Sequence, residues 1–330
     1  MKICLLDRTN FEYSYDDLYS EKLRGAETIL INLSKNLSDL GHQVFVINNC
    51  PKQIHMNKSN NWFNISKTNE INLPIFDVSI SNADTNLLNL VQSKKKFIIS
   101  YSLQSIEKFL RKNQLFSYLK NKPKVLLLGN YHKIKRSRLL SLFGSEIIDL
   151  AIDDVFIKTT LLPSKKIDSN LAIFSSRPER NSQLLLNIWR DKIYPNFKSG
   201  KLLITANNES FQDSNIIARK LGNQNNLIND LLRSRMFLVP GHKAELFCLA
   251  AEEARELCLP IVTLGIGSLK ERVLHGETGF IAKNEKDFAN YVLELFKNDD
   301  LWTKLRNNLK SKRGQSNWTN ATKNLISKIN

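Results

Sequence analysis

Short apolar runs alternate with amphipathic stretches along nearly all 330 residues, and no other feature constrains the fold as strongly. Lys2 to Leu6 is a brief apolar run closed by Asp7 and Arg8, which reads as a buried strand. Leu23 to Leu40 then carries Ile29, Leu30, Leu33, Leu37 and Leu40 at helical spacing and stops at Gly41. Val44 to Ile47 is the next strand, and this β-α-β opening is the unit from which parallel sheets are wound. Asp77 to Ser81, Phe97 to Ser100 and Val125 to Leu128 extend the same sheet, with helical stretches such as Ile106 to Leu110 between them.

A second series follows the charged, proline-containing segment Lys158 to Asp168, where LPSKKIDS reads as a linker. Its strands are Leu171 to Phe174, Leu202 to Thr205, Met236 to Val239 and Ile261 to Thr263. Its helices run from Leu184 to Trp189, Leu227 to Leu232, Cys248 to Leu257 and Phe288 to Phe296. The length is too great for one comfortable core, so the chain reads as α/β with two Rossmann-like domains. Open parallel sheets bind ligands at the carboxyl ends of their strands, so a central cleft faced by both sheets is the expected site.

Lys and Arg number 48 against 32 Asp and Glu, a formal charge of +16, which points to an anionic partner. Nucleic acid, phosphorylated metabolites and an acidic membrane face all fit that sign. The basic residues are spread along the chain without a recognised nucleic-acid motif, so nucleic acid is the weakest of the three. The four cysteines, Cys4, Cys50, Cys248 and Cys258, show neither metal-ligand spacing nor a secreted disulfide pattern, as in a protein of the reducing cytoplasm. The start, MKICLLDRTN, is too briefly apolar for an export signal, and no later run is long enough to span a bilayer.

The chemistry concentrates in HKAELFCLAAEEARELCLPIV, His242 to Val262, where Glu245 and Glu253 bracket an apolar stretch. With a helix starting near Phe247, Ala250, Glu253, Ala254 and Leu257 share one face. Glu253 is then the odd charge in a buried stripe and Glu252 the solvated one. Glu253 either pairs with a nearby cation or faces a ligand. Free N–H groups of Phe247, Cys248 and Leu249 at the helix start suit a phosphate. Two carboxylates around that phosphate suit a sugar on one side and a ribose on the other, since carboxylates accept hydrogen bonds from hydroxyls.

This segment resembles the Glu-x7-Glu stretch of retaining GT-B glycosyltransferases of the family-4 type, the glycosyl transferases group 1, in which E-x-F-G-x-x-x-x-E-A is followed by G-x-P-V-V. Glu245, Phe247, Glu253, Ala254, Pro260 and Val262 match, while Cys248 and Cys258 stand where the family has glycine. GSLKERVLHGETGFI, Gly267 to Ile281, resembles the family's G-G-x-x-E-x-V-x-x-G-x-T-G-F-L, with Glu271, Val273, Gly276, Thr278, Gly279 and Phe280 in register. LAIFSSRPERN, Leu171 to Asn181, resembles G-R-L-x-P-E-K-G. Arg180 falls on the Lys, Ser175 replaces the first Arg, and Arg177 is its substitute. Arg24-Gly25-Ala26-Glu27 resembles G-G-A-E at the start of the first helix.

The resemblance implies GT-B architecture, with residues 1–163 as acceptor domain, 164–312 as nucleotide-sugar domain and a helix at 313–330 packing back on the first. It implies transfer of a hexose from a UDP- or GDP-sugar to a hydroxyl on a glycan, lipid-linked or small-molecule acceptor, with retention, in bacterial cell-surface polysaccharide or glycoconjugate synthesis. No cofactor or metal is required, and no Asp-x-Asp triplet is present to hold one. Glu245 orients the donor sugar, and Arg180, Arg177, Phe247, Cys248, Leu249 and Glu253 bind the donor. Where the family carries an acceptor-domain histidine, this chain has Tyr101. His132, in the basic loop GNYHKIKRSR, is the other candidate for the catalytic role, its alternative being a surface histidine. Arg24, Gly25, Tyr101 and Arg136 are the acceptor-side residues. The basic loop holds an acceptor phosphate, lies on an anionic membrane at the inner face, or is a solvated charge run. A GT-B subunit without catalysis and a basic nucleic-acid-binding protein are the competing readings.

Overall fold

The structure is a computed structural model that describes every residue except 19, 21, 22, 24, 52, 53, 104, 105, 206–210 and 221, so Arg24 lies outside the described residues. The chain divides into two compact units, residues 1–150 with 318–330, and residues 151–317.

The first unit is built on a sheet of β1 (Lys2–Leu6), β2 (Gln43–Asn48), β3 (Ile54–Asn57), β4 (Asn60–Asn64), β5 (Phe76–Asn82), β6 (Ser93–Ile99), β7 (Lys124–Leu127) and β8 (Ser145–Ile147). Their order is β3-β4-β2-β1-β5-β6-β7-β8, parallel throughout except for β3 on β4. The helix Gly25–Asp39 connects β1 to β2 and buries Ile29, Leu30, Leu33 and Leu37. It ends as helices with a left-handed glycine do: Gly41 takes φ +84°, and the His42 N–H donates to the Leu37 carbonyl. The helix Trp318–Ile329 buries Trp318, Ala321, Leu325 and Ile329 along one face, and Thr319 Oγ1 lies 3.4 Å from Asn36 Oδ1 of Gly25–Asp39.

The second unit carries β9 (Leu171–Phe174), β10 (Lys201–Thr205), β11 (Ile216–Arg219), β12 (Met236–Leu238), β13 (Ile261–Thr263) and β14 (Gly279–Ile281). The order is β11-β10-β9-β12-β13-β14, all parallel. Gly279 is required here, because a Cβ on it would sit 2.1 Å from the Ile261 carbonyl oxygen of the neighbouring strand.

Two details differ from the sequence reading. The contacts divide the chain at 150–151, ahead of the boundary at 163–164 that the linker-like composition suggests. Phe156 is fully buried in the second unit's core, and the Arg313 guanidinium donates to the carbonyls of Ile157 and Thr159 at 3.0 and 2.9 Å. The hairpin of β3 and β4 was not anticipated, because NNWFN carries no alternating apolar signal.

In each sheet the strand order reverses at one place, between β1 and β5 and between β9 and β12. Connections on either side of such a switch leave in opposite directions and open a crevice at the carboxyl ends. Asn82 closes β5, and Asp7, Arg180 and Glu245 stand in the loops that follow β1, β9 and β12.

Candidate functional site

At the β9/β12 switch, the loop after β9 (175–181) delivers Arg180 and the loop after β12 (239–248) delivers His242 and Glu245. Arg180 Nε lies 3.3 Å from Glu245 Oε2, and Arg180 Nη1 lies 3.2 Å from His242 Nδ1. The Ala244 N–H also donates to His242 Nδ1, at 3.1 Å. A guanidinium and a backbone amide only donate, so Nδ1 is the acceptor that faces both. Asn181, in the left-handed conformation, donates from Nδ2 to the Gly241 carbonyl and ties the two loops together.

Glu245 is held from below. Its N–H donates to the His242 carbonyl at 2.9 Å, and its own carbonyl accepts from the Ser268 N–H at 2.9 Å. Gly267 fits under this turn because it lacks a Cβ, which would lie 2.4 Å from the His242 oxygen. Burial raises the Glu245 carboxyl above its ordinary range, against the pull of Arg180, His242, Arg177 and the Cys248 N–H. The side chain is 15 % exposed, enough to meet a ligand.

The following helix, Leu249–Glu256, starts two residues later than the sequence reading placed it. Cys248 stands before it with φ +63°, and its carbonyl accepts from the N–H groups of Ala251 and Glu252. Cys258, past the helix, has φ +62°. Both positions where the resembling family has glycine thus adopt the left-handed conformation that glycine favours, at a cost of about 1 kcal/mol each for a side chain. The Cys248 side chain packs into the hydrophobic core.

Of the two neighbouring glutamates, Glu252 is the more buried. Glu252, expected to be solvated, is 1 % exposed and receives Arg272 Nη1 at 3.1 Å, Ser316 Oγ at 3.1 Å and the Arg255 guanidinium. Arg272 also lies 4.0 Å over the Phe247 ring, so Phe247 is a packing partner of this ion-pair network. The face was misread because its cover comes from residues 20 and 64 positions further along the chain. Glu253 is half-buried and is raised to about 7 by burial and by the nearby Asp153 carboxyl.

That shift has a measurable sign. Because the folded carboxyl holds its proton more tightly than the unfolded one, its contribution to stability is full below about 4.5 and is lost as pH rises through about 7. Glu253→Gln removes this slope, so urea unfolding of the variant between pH 4.5 and 7.5 should be flatter than that of the parent chain. Parallel curves for the two would show that Glu253 does not carry a raised proton affinity.

Other expected donor residues are placed less tightly. Arg177 is exposed, and Leu249 is half-buried at the first helical position. Ser175 Oγ is buried and has no hydrogen-bond partner among the described residues. His242 was not singled out from the sequence. A histidine one residue past a glycine has no local signature, and only the meeting of the two loops gives it a role. A shallow concavity of about 640 Å³ beyond Ile266, lined by Leu264 and Lys283 to Lys286, does not include Glu245.

In the first unit, Asn82 Nδ2 donates to Asp7 Oδ1 at 3.0 Å across the β1/β5 switch, and the Tyr13 hydroxyl donates to Asp7 Oδ2. Asp7 is 4 % exposed, and burial raises its carboxyl. Tyr101 follows β6, and its hydroxyl is buried without a partner among the described residues. Burial first, then the charges of Asp7 and Glu27, raises its pKa far above the usual phenol range. Gly25 opens the helix whose first turn carries Glu27. His132 is not on the surface: it is 1 % exposed, accepts the Leu128 N–H at Nδ1 (3.3 Å), and is pushed down by burial to about 4. Arg136 spends its guanidinium on its own loop, donating to Ser141 Oγ at 2.8 Å, Ser145 Oγ at 3.0 Å and the Lys133 carbonyl.

Against solved structures, the chain superposes along its whole length. Sucrose-phosphate synthase from Thermosynechococcus elongatus matches with a TM-score of 0.69 at 13% identity, covering 99% of this chain and 97% of that one. HepE of Anabaena, solved with UDP and glucose, matches with a TM-score of 0.68 at 13% identity and covers 100% and 99%. WaaG, a glycosyltransferase involved in lipopolysaccharide biosynthesis, matches with 0.67 at 11% identity and 99% of each chain. The fold is GT-B. Within this GT-B chain, residues 216–313 match the model of the family described as Glycosyl transferases group 1. That segment holds His242, Glu245 and Glu253, whereas Arg177 and Arg180 precede it. Comparison with curated protein sequences finds no match.

Proposed function

We propose that the chain transfers a hexose from a nucleoside diphosphate sugar to a hydroxyl acceptor with retention at the anomeric carbon. The Arg180–His242–Glu245 cluster carries this reading, because it sets one cation and one carboxylate beside a helix start at a sheet switch point. The bond to be broken leaves its electron pair on a diphosphate, so the site must neutralise growing negative charge. Arg180 and the N–H groups that open Leu249–Glu256 supply it, with Arg177 as an exposed second cation. Glu245 orients the donor sugar through its hydroxyls, and Glu253 takes the ribose. HepE was solved with UDP-glucose, which favours a uridine donor for this chain.

The acceptor side is assigned to Gly25, Tyr101 and His132, with Arg24 as its cation and Arg136 bracing the basic loop beside it. His132 acts as a neutral hydrogen-bonding group at physiological pH, since its imidazole is unprotonated above about 4. Synthesis of a surface polysaccharide or glycoconjugate is the setting this reading favours.

A binding screen against UDP-, GDP-, ADP- and CMP-sugars by calorimetry, followed by nucleotide release, tests the proposal. One sugar nucleotide should bind and yield its nucleoside diphosphate on addition of an acceptor. Binding without release under any acceptor would favour a second reading, a GT-B binding subunit without catalysis, for which the uncharged Ser175 in place of an arginine speaks.

A further inference from the structure

Seven of the ten exposed large apolar side chains among the described residues fall between Ile106 and Leu142, a clustering that chance placement over the surface would not give. They crown a small core centred on Tyr118. Its ring packs edge-on against Phe109 at 5.6 Å and lies 5.2 Å from Phe143, and its hydroxyl accepts the Leu142 N–H at 3.0 Å. Tyr118 therefore gathers three segments: the helix Ile106–Arg111, the helix Leu115–Asn121 and the turn around Arg138–Ser141. Leu110, Phe116, Leu119, Leu139 and Leu142 project outward from these segments, Phe116 at 77 % exposure. Phe116 and Leu119, three apart, lie on one side of their helix. The bonds from Arg136 to Ser141 and Ser145 tie the end of the helix Asn130–Lys135, with exposed Ile134, to the same loop.

The charge around these side chains is overwhelmingly positive. Between residues 106 and 145 there are ten Lys or Arg and one acid, Glu107. Arg111, Lys112, Lys120, Lys133, Lys135 and Arg138 are all exposed between the apolar tips. A cavity of about 510 Å³, walled in part by Lys122, Lys124 and Phe143, adjoins the patch and continues the basic character.

We propose that this face of the first unit docks on an anionic lipid bilayer. Apolar tips of mixed height, separated by long cationic side chains, suit insertion among acyl chains, with the lysines reaching back to phosphate headgroups. A protein partner would need acidic groups between each apolar contact at fixed positions, whereas a fluid acidic surface supplies them everywhere. The inference stands apart from the donor site, since none of its residues belongs to the Arg180–His242–Glu245 cluster.

The test is flotation of the full chain with phosphatidylcholine vesicles, alone or with about one third phosphatidylglycerol, at low and high salt. The chain should float with the acidic vesicles only, and high salt should weaken the association. Phe116→Ser with Leu142→Ser should reduce binding by roughly tenfold or more, with unchanged nucleotide-sugar affinity. Both positions are exposed, so folding is preserved, and circular dichroism checks it. Equal binding by the double variant, or no preference for acidic vesicles, would overturn the proposal. Loss of a dimer in that variant without vesicle binding by the parent would assign the face to a second copy of the chain instead.

Discussion

Glu245→Gln is expected to lower sugar transfer by roughly a hundred- to a thousand-fold while leaving the unfolding curve near that of the parent chain. The amide keeps the size of the carboxyl and one acceptor oxygen but not the charge, so Arg180 loses its ion-pair partner and, on the proposed reading, the donor hydroxyls lose one of two acceptors. The surrounding turn keeps its backbone bonds to the His242 carbonyl and from the Ser268 N–H, and the glutamine oxygen can still accept from the Cys248 N–H. Initial-rate measurements on the donor found by the binding screen give kcat and KM separately. A drop mainly in kcat places the carboxylate at the reacting sugar, and a drop mainly in affinity places it in ground-state binding. Unchanged turnover would remove Glu245 from the site altogether.

The second large effect falls on stability. Glu252→Ala removes one buried carboxylate and leaves Arg272, Arg255 and Ser316 without their common acceptor. Breaking a buried pair from one side costs about 3 kcal/mol or more, because the remaining charge stays out of water. At roughly 2–4 °C per kcal/mol for a domain of this size, the midpoint of thermal unfolding should fall by about 6–12 °C. Glu253→Ala, one residue on, should not produce this loss, since the Glu253 carboxyl is raised by burial rather than stabilised by a cation. Calorimetric scans of the two variants side by side decide the matter, and equal midpoints would refute the assigned division of labour.

Those two glutamates also mark how far the sequence could be read. The helical phase put Glu253 on the face of Ala250 and Ala254, and the strands Leu171–Phe174 and Ile261–Thr263 lie at the residues their apolar runs indicated. Periodicity reports which residues of one segment share a face. It does not report what another segment lays over the opposite face. Arg272 and Ser316 reach Glu252 from far along the chain, so its burial had no local trace. His132 shows the same limit: basic neighbours suggested a solvated loop, yet its own ring turns inward to the Leu128 amide. His242 needed two loops to meet before it meant anything. The short strand pair β3 and β4 was hidden because its residues are mostly polar, and β11 and β14 are only four and three residues long.

Cys248 has a consequence for watching the site at work. Its thiol is 3 % exposed and burial drives its pKa well above the ordinary range, so in the closed loop it neither ionises nor meets a reagent. Alkylation reaches the sulfur only when the packing around it opens, and the labelling rate then counts those openings. The turn after Glu245 carries its own clock, fixed at the position where the resembling family has a glycine and no atom to modify.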